Sequence, residues 1–327
     1  MNVLVTGGAG FLGGYIMAAL QRQGHEAFAY DIAPPGADTL AVSPDIATRF
    51  RAGQINDIAR LFAICRAEKI EAIIHSAGMV GLEPSLEQPI AAYQTNIMGL
   101  INVCEVARQM NMRRVVFVSS NAAYHKGSGA ALVETDPAFS IRDGNPAGHY
   151  GTSKMAGEAI GLAYASFQNL DFLALRVTAI YGFGMRSPMY IKPMVENSVL
   201  GRPTRFATGG RMKRDYTHVA DCSDGIVAAL LAPPWKTGEQ RVINVAGGSA
   251  RTAAEVAKIV RDTIPGADIE IGDDLTPLEQ QNVKMRASLD ITSAKRLLNW
   301  SPKWPLEAGI AEYAETFRRY LSRSSNE

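Results

Sequence analysis

Tyr150 and Lys154 are the pair of residues in this sequence that is best suited to proton transfer. They are four residues apart, so on a helix both side chains lie on one face. A free tyrosine has a pKa of about 10, and a neighbouring ammonium lowers that pKa because it stabilises the phenolate. The same ammonium can hold a ribose. The spacing therefore predicts a tyrosine that takes a proton from a carbinol.

Two serines strengthen this prediction. Ser119 and Ser120 end a run of apolar, β-prone residues, and ligands of open α/β sheets bind at the carboxyl ends of the strands. A hydroxyl there can hydrogen-bond the substrate oxygen whose proton Tyr150 takes. The sequence leaves open whether Ser119 has this role or only caps a turn.

The chain opens with a glycine pattern that is typical of dinucleotide binding. Gly7, Gly10 and Gly13 are three residues apart and follow the apolar run 3–5. A tight turn, a close approach to a pyrophosphate and close helix–sheet packing each need a residue without Cβ. The helix that begins at Phe11 then offers N–H groups and the positive end of its dipole to the phosphates.

Asp31 indicates that the dinucleotide is NAD. It ends the predicted second strand, 18 residues after Gly13, where a carboxylate can accept hydrogen bonds from ribose hydroxyls. The carboxylate also repels a 2′-phosphate, and residues 32–35 contain no arginine that would bind one. We therefore expect NAD and not NADP. The sequence leaves open an aspartate that merely begins a loop.

Alternating strands and helices must position these residues. Strands are predicted at 3–5, 27–31, 72–75, 114–119 and 172–175, and helices at 11–23, 58–68, 90–110 and 147–167. Strands rich in Val, Ile and Phe that alternate with helices are typical of a parallel sheet covered on both faces. The predicted fold class is therefore α/β, with a doubly wound, Rossmann-type parallel sheet.

The pattern changes at about residue 176. Glycine and proline become frequent, and helices are predicted at 189–200 and 252–263. We predict an NAD-binding domain at 1–175 and a smaller substrate-binding lobe at 176–327, with some segments of the lobe returning to the first domain.

Composition excludes several classes of protein. The chain has 327 residues, of which 47% are hydrophobic and 20% charged, and its net charge is +1. These values are normal for a packed, cytoplasmic protein and show no excess of basic residues of the kind that binds nucleic acid. The longest apolar runs are too short to cross a membrane. The three cysteines and five histidines have no metal-ligand spacing, so we predict no metal.

Motifs spread along nearly the whole chain resemble those of one family. The sequence is similar to the extended short-chain dehydrogenase/reductases of the NAD-dependent epimerase/dehydratase family. Beyond the glycine turn, the segments that carry the resemblance are 74–78, 96–99, 118–124, 176–182, 214–219 and 297–302.

The resemblance assigns roles to residues of this sequence. It implies a catalytic set of Ser120, Tyr150 and Lys154, in which the catalytic hydroxyl falls on Ser120 when Tyr124 is matched. The expected NAD-binding residues are Gly7, Gly10, Phe11, Leu12, Gly13, Asp31, Ile32, Gln54, Ile55, Ser76, Ala77, Gly78, Asn96, Ser119, Tyr150 and Lys154. The expected substrate-binding residues are Ser120, Asn121, Ala179, Arg186, Phe206 and Arg214.

Departures from the family pattern narrow the chemistry. Ala179 stands where family members that bind nucleotide sugars usually carry an asparagine, and Gln54 stands where an aspartate usually meets the adenine amine. His125 replaces the usual glycine after Tyr124. Asn121 and the alanine after it replace the acid pair that resembles sugar dehydratases. Without an acid and a base there, loss of water lacks its catalysts, which argues against a dehydratase.

The arginines of the glycine-rich lobe predict an anionic small-molecule substrate. Guanidinium groups suit phosphates and carboxylates, although these arginines could instead form a solvated loop face. Phe206 could stack on a base or pack within the lobe. The cationic positions in this lobe are Arg186, Arg205, Arg211, Lys213 and Arg214.

The favoured function is epimerisation of a nucleotide sugar through a transient keto intermediate. The alternative is an NAD-dependent dehydrogenase of a sugar, sugar acid or hydroxy acid, which would accumulate NADH. A third, less favoured hypothesis is a non-enzymatic NAD-binding sensor. By analogy with the family, the helices at 90–110 and 147–167 would pair two copies into a homodimer, although burial within one chain would give the same pattern.

Overall fold

The computed structural model describes residues 1–125, 131–236, 238–277, 279–280 and 287–324. The strands are β1 Asn2–Thr6, β2 Glu26–Asp31, β3 Phe50–Ala52, β4 Ala72–His75, β5 Arg114–Ser120, β6 Ala131–Leu132, β7 Phe172–Val177, β8 Ile180–Tyr181, β9 Thr204–Phe206, β10 Lys213–Asp215, β11 Thr217–His218, β12 Val242–Val245, β13 Ala250–Thr252, β14 Ile269–Ile271 and β15 Ser288–Leu289.

The helices follow the same alternation. They are α1 Phe11–Arg22, α2 Ala37–Val42, α3 Ile46–Arg49, α4 Ile58–Ala67, α5 Leu82–Glu87, α6 Pro89–Tyr93, α7 Gly99–Gln109, α8 Gly148–Gln168, α9 Ile191–Val199, α10 Val219–Leu231, α11 Ala253–Thr263, α12 Thr292–Leu298 and α13 Leu306–Ser324. A π-helical turn at Gln94–Met98 joins α6 to α7, and a 3-10 turn occupies Asn121–Ala123. None of the helices in the described ranges is long and apolar enough to cross a membrane.

Seven parallel strands form the central sheet, in the order β12-β7-β5-β4-β1-β2-β3. The strand order reverses between β1 and β4, which is the switch point where ligands bind in doubly wound folds. The predicted fold class is therefore confirmed. Thr6 and His75 are paired at the carboxyl ends of these two strands.

The two faces of the sheet carry separate apolar cores because successive side chains of a strand point to opposite faces. Val3, Val5 and Val116 contact α1 and α10 on one face. On the other face, Leu4 and Phe117 pack with the residues of α4 and α7. Fully buried strands of this kind read as continuous apolar runs, which is why they could be predicted.

Segments after residue 176 build a third core and also extend the sheet. Helices α9, α11 and α13 pack around Ile191, Val256 and Ile310. Strand β12 returns to the edge of the central sheet and pairs with β7, with Asn244 opposite Arg176. The division into two domains at residue 175 stays a prediction.

The predicted helix at 90–110 is interrupted. The amide of Asn96 donates to the carbonyl of Met79 (3.0 Å) and to the Ser153 hydroxyl (2.9 Å), and its oxygen accepts from the Met79 N–H (2.7 Å). These tertiary bonds lie within the π-helical turn, a feature that is often found at functional sites. Periodicity alone does not predict it.

Candidate active site

The glycine turn after β1 is tightly packed against the segment that follows β4. Gly7 has φ +71° and its N–H donates to the carbonyl of Tyr30 (2.9 Å). A Cβ at Gly7 would lie 2.8 Å from the Ala77 nitrogen, and one at Gly13 would lie 2.2 Å from the Gly7 oxygen. Only glycine satisfies both positions, so the turn can bring backbone close to a pyrophosphate.

The start of α1 fits a phosphate group. Gly10 is the N-cap residue and no side chain caps this helix, so the first N–H groups, which include those of Phe11 and Leu12, are free to bind an anion. Phe11 and Leu12 are both partly buried. A pyrophosphate placed here would complete the helix terminus.

Asp31 lies at the carboxyl end of β2, beside the glycine turn. Its carboxylate accepts from the N–H of Ala9 (3.2 Å) and from that of Ile32 (2.8 Å). Burial raises the pKa of Asp31, whereas these two bonds and the charge of Arg186 lower it. A carboxylate has about four acceptor positions, so two remain for ribose hydroxyls. The Ile32 side chain itself is 75% exposed.

The predicted adenine side of the site lies after β3. Gln54 is exposed, and its carbonyl accepts from the Tyr30 hydroxyl (2.9 Å). Ile55 is buried, and its carbonyl accepts from the amide of Asn102 (3.0 Å). Backbone contacts therefore fix this segment beside β2.

Three more predicted cofactor residues follow β4. The N–H of Ser76 donates to the Thr6 carbonyl (3.1 Å), and that of Ala77 to the Thr6 hydroxyl (3.3 Å). A Cβ at Gly78 would lie 3.0 Å from Oδ1 of Asn96. The structure thus brings the segments after β1 and β4 together with the π-helical turn.

Ser120 and Tyr150 meet at the carboxyl end of β5. Burial raises the pKa of Tyr150, and a hydrogen bond with Ser120 lowers it. The Ser120 hydroxyl accepts from the N–H of Ala122 (3.1 Å) and contacts Oδ1 of Asn121 (3.4 Å). A phenol and a hydroxyl held this way can both reach one substrate oxygen.

Ser119 bonds a different residue of α8. Its hydroxyl is buried and donates to Oε1 of Glu158 at 2.5 Å. Glu158 in turn forms a buried ion pair with Arg176 at 2.7 Å, and the Arg176 guanidinium lies 4.2 Å from the ring centre of Tyr124. Ser119 therefore joins a buried polar network with Glu158 and Arg176, and its predicted contact with the cofactor stays a prediction. The sequence contained one signal for Glu158, its position four residues after Lys154 on α8.

Lys154 is buried between α8 and β5. Its Nζ donates to the Val118 carbonyl (2.8 Å) and lies 4.8 Å from the ring centre of Phe117 and 5.9 Å from that of Tyr150. Burial lowers the pKa of Lys154 to about 8, against the charge of Glu158. Ser120 rather than Lys154 lowers the pKa of Tyr150 in this arrangement, so the tuning role of Lys154 stays a prediction.

Arg214 of β10 presents a buried cation to the lobe. Its Nη1 is buried and has no hydrogen-bond partner within the part of the chain that the structure describes. Burial lowers the pKa of Arg214, while the neighbouring hydroxyls of Tyr216 and Tyr190 raise it. Phe206 packs edge-to-face on Tyr190, with ring centres 4.8 Å apart. A guanidinium whose buried Nη1 has no partner among the described residues, and which lies next to aromatic rings, suits a phosphate-bearing ligand.

Strand pairing places the Arg214 region near the catalytic set. Ser120 of β5 pairs with Val177 of β7, and Ala179 follows two residues later. Ala179 has φ +37°, which alanine adopts rarely, and its carbonyl accepts from the N–H of Thr217 (3.3 Å). Thr217 lies three residues after Arg214, in the strand β11 that pairs with β8, so this bond connects the Arg214 segment to the chain that leaves β7.

Arg186 lies elsewhere. It is exposed, and its positive charge lowers the pKa of Asp31. Together with Asp38 and Lys192 it lines a cavity of about 440 Å³. The structure therefore places Arg186 on the side of the predicted cofactor ribose. No sequence pattern predicts this position, because Arg186 follows an irregular loop.

Residues 3–246 match the NAD dependent epimerase/dehydratase family. The chain belongs to this family. It is an NAD-dependent enzyme of the extended short-chain dehydrogenase/reductase type, as the motifs predicted. The glycine turn, the uncapped α1 and the open acceptor positions of Asp31 all fit NAD.

Individual relatives extend this family assignment. UDP-glucose 4-epimerase of Mycolicibacterium smegmatis is 28% identical over 326 residues, which are 97% of this chain and 99% of that protein. UDP-glucuronate 4-epimerase 3 of Arabidopsis thaliana is 27% identical over 98% of this chain and 77% of its own. The solved structure of Thermus thermophilus UDP-glucose 4-epimerase in complex with NAD has 25% sequence identity to this chain. Its TM-score is 0.80, and the match covers 97% of this chain and 99% of that one.

Proposed function

We propose that this chain is a 4-epimerase of a UDP-sugar. The chemistry of the family is epimerisation or dehydration with NAD, and the absence of an acid pair after Ser120 argues against dehydration. The named relatives supply the nucleotide and the carbon atom: several are UDP-glucose or UDP-glucuronate 4-epimerases that align with nearly the whole chain. The alternative, a dehydrogenase that releases NADH, has no comparable support.

The buried Nη1 of Arg214 is the observation that carries the proposal. A dehydrogenase of an uncharged free sugar has no anionic group for this cation to pair with. A sugar diphosphate has one, because its phosphates pair well with a guanidinium group. Arg214 has a buried Nη1 without a partner among the described residues, and pairing it with a diphosphate would offset the cost of burying it.

The side chains at the end of β5 would perform the proton transfers. Ser120 donates a hydrogen bond that orients the C4 oxygen, and the phenolate of Tyr150 takes the C4 hydroxyl proton. NAD, when bound, supplies the acceptor and later the donor of the C4 hydride. The same Tyr150 returns the proton to the C4 oxygen after the 4-keto sugar has presented its other face. Lys154 holds the ribose of the nicotinamide half and carries positive charge close to Tyr150.

Incubation of NAD-loaded protein with UDP-glucose, UDP-glucuronate and UDP-N-acetylglucosamine tests the proposal, with C4 inversion followed by proton NMR. We expect inversion of at least one UDP-sugar without net NADH. Free sugars, hydroxy acids and GDP-sugars are tested separately as alternative substrates. NADH that accumulates with a free sugar or a hydroxy acid would favour the dehydrogenase instead.

Two variants test the assigned roles. Tyr150→Phe should bind NAD and UDP-sugar normally and lose turnover by about a thousandfold, because the group that takes the proton is absent. Arg214→Met should weaken UDP-sugar binding by roughly 100-fold, the effect of losing a charged hydrogen-bond partner. Arg202→Met, an exposed cation on the same lobe, is the control and should bind as the wild type does.

We also propose that the enzyme acts as a homodimer in the cytoplasm. Ile90, Met98 and Phe167 are 73%, 48% and 84% exposed on the helices that the family analogy pairs, and such apolar groups are typical of an interface. The three cysteines are free thiols, as expected in a reducing compartment. Sedimentation of wild type and Phe167→Glu would measure the dimer, which the charged variant should weaken.

A further inference from the structure

We propose that Asn145 is a positioning residue that aligns Tyr150 with Ser120. Asn145 precedes α8, the helix that carries Tyr150, and its side chain is 8% exposed. It does not contact the predicted cofactor residues or Arg214 in any described bond. Its side-chain bonds all go to backbone groups, which lie on the turn after Ser120, at Ala138 and at the residue before α8. The proposal rests on the proposed function, since it assumes that Tyr150 exchanges a proton with the substrate.

The amide of Asn145 joins three segments. Its Nδ2 donates to the carbonyls of Ala122 (3.1 Å), Ala123 (3.1 Å) and Ala138 (2.9 Å), and its Oδ1 accepts from the N–H of Ala147 (2.8 Å). The two N–H groups of Nδ2 are shared among these three carbonyls, and together with the one donor at Oδ1 they fix the orientation of the amide. No other type of side chain of this size offers the same set of donors and acceptor.

The network continues directly to the reacting groups. Ala122, whose carbonyl Asn145 holds, donates its own N–H to the Ser120 hydroxyl (3.1 Å). On the other side, Gly151 follows Tyr150, and a Cβ there would lie 2.1 Å from Oδ1 of Asn145 and 2.4 Å from the Ala122 oxygen. The helix, the asparagine and the turn after Ser120 are therefore in direct contact, with no side chain between them.

This arrangement makes the distance from Ser120 to Tyr150 depend on Asn145. The 3-10 turn and α8 are separate elements, and the Asn145 side chain bonds both to the turn and to Ala147, the N-cap residue of α8. Loss of the amide would release Ala122 and Ala123 and let the turn drift by a fraction of an ångström. A displacement of about 1 Å in a reacting group can cost about 100-fold in rate.

Steady-state kinetics on the epimerised UDP-sugar separate this role from a merely structural one. Asn145→Ala should lower kcat by roughly 30- to 100-fold, with KM for the sugar and Kd for NAD within about twofold of wild type. The matched control is Asn197→Ala, because Asn197 is partly buried and its amide donates to the Thr204 hydroxyl (3.1 Å), and it is assigned to neither cofactor nor substrate. It should lower Tm, with kcat changed less than about threefold.

A double-mutant cycle measures the coupling between Asn145 and Ser120 in kcat, which a general loss of stability does not change. If Asn145 acts through Ser120, then Asn145→Ala should cost less than about threefold in a Ser120→Ala background. Should Asn145→Ala not fold, Gly151→Ala presses on the same contact from the helix side and replaces it in the cycle. A kcat within threefold of wild type, or a loss that multiplies fully in the Ser120→Ala background, overturns the proposal.

Failure of the proposed function gives a different result. In that case the wild type itself does not invert any UDP-sugar, and the cycle is run on the carbinol that reduces NAD instead. The same comparison of kcat between wild type and the Asn145 and Ser120 variants then tests the positioning role, because Tyr150 and Ser120 serve either reaction.

Discussion

Replacement of Lys154 by methionine should stabilise the fold while it removes activity. Lys154 is 4% exposed, and burial lowers its pKa from 10.5 to about 8. A difference of about 2.5 between the two pKa values corresponds to about 3 kcal/mol at pH 7. Methionine has no charge to bury, but it loses the bond to Val118 and the contact with Phe117, each worth about 1 kcal/mol. The expected net gain is about 1–2 kcal/mol at pH 7.

The pH dependence of this gain tests the reasoning. Because the folded pKa is lowered, the unfolded chain binds more protons between pH 8 and 10.5, so wild-type stability rises over that interval. Urea unfolding of nucleotide-free protein should show the advantage of Lys154→Met shrinking by about 2 kcal/mol between pH 7 and pH 9.5. Lys192→Met, which alters a lysine paired with Glu196, should show no such trend. Equal stability differences at both pH values would refute the buried, charged Lys154.

Three further substitutions test other parts of the structure. Arg114→Met should cost about 3–5 kcal/mol in urea unfolding, because the buried guanidinium pairs with Asp171 and bonds four carbonyls at the end of α10; a loss below 1 kcal/mol would contradict this. Ala179→Gly should raise stability by up to about 1 kcal/mol, because φ +37° strains alanine; a lower Tm would contradict it. Burial lowers the pKa of His75 to about 3, so wild type should lose about 2 kcal/mol more than His75→Gln between pH 7 and pH 5; parallel losses would exclude a neutral buried His75.

The sequence predicted those parts of the fold that local patterns determine. Strands β1, β4 and β5 are continuous apolar runs, and the glycine spacing of the turn that begins at Gly7 is typical of dinucleotide binding. Strand β12 was not predicted, because its pairing with β7 joins residues far apart in the chain. Strand β3 is three partly exposed residues at the sheet edge and has no apolar run to indicate it. Both strands form because they pair with other strands of the sheet, and local sequence patterns do not show such pairing.

The candidate site shows the same limit at the level of side chains. The sequence left open whether Ser119 faces the substrate, because alternation along a strand says only that Ser119 and Ser120 point to opposite faces. In the structure the Ser119 hydroxyl donates to Glu158 of α8, whereas Ser120 bonds Tyr150. Asn145 gave no signal at all, since an asparagine in a polar loop resembles any turn residue. Its partners are carbonyl groups, and these carry no mark in the sequence.

The choice between NAD and NADP depends on two charges that the structure brings together. The Asp31 carboxylate repels a 2′-phosphate, whereas the neighbouring Arg186, whose charge lowers the pKa of Asp31, would attract one. Asp31→Ser should therefore raise the affinity for NADPH relative to NADH by about 100-fold, since like-charge contacts cost several kcal/mol. Titration by fluorescence measures both Kd values. Asp31→Ser with Arg186→Ala should lose most of this gain if the guanidinium reaches the ribose, and an undiminished gain would place Arg186 away from the cofactor.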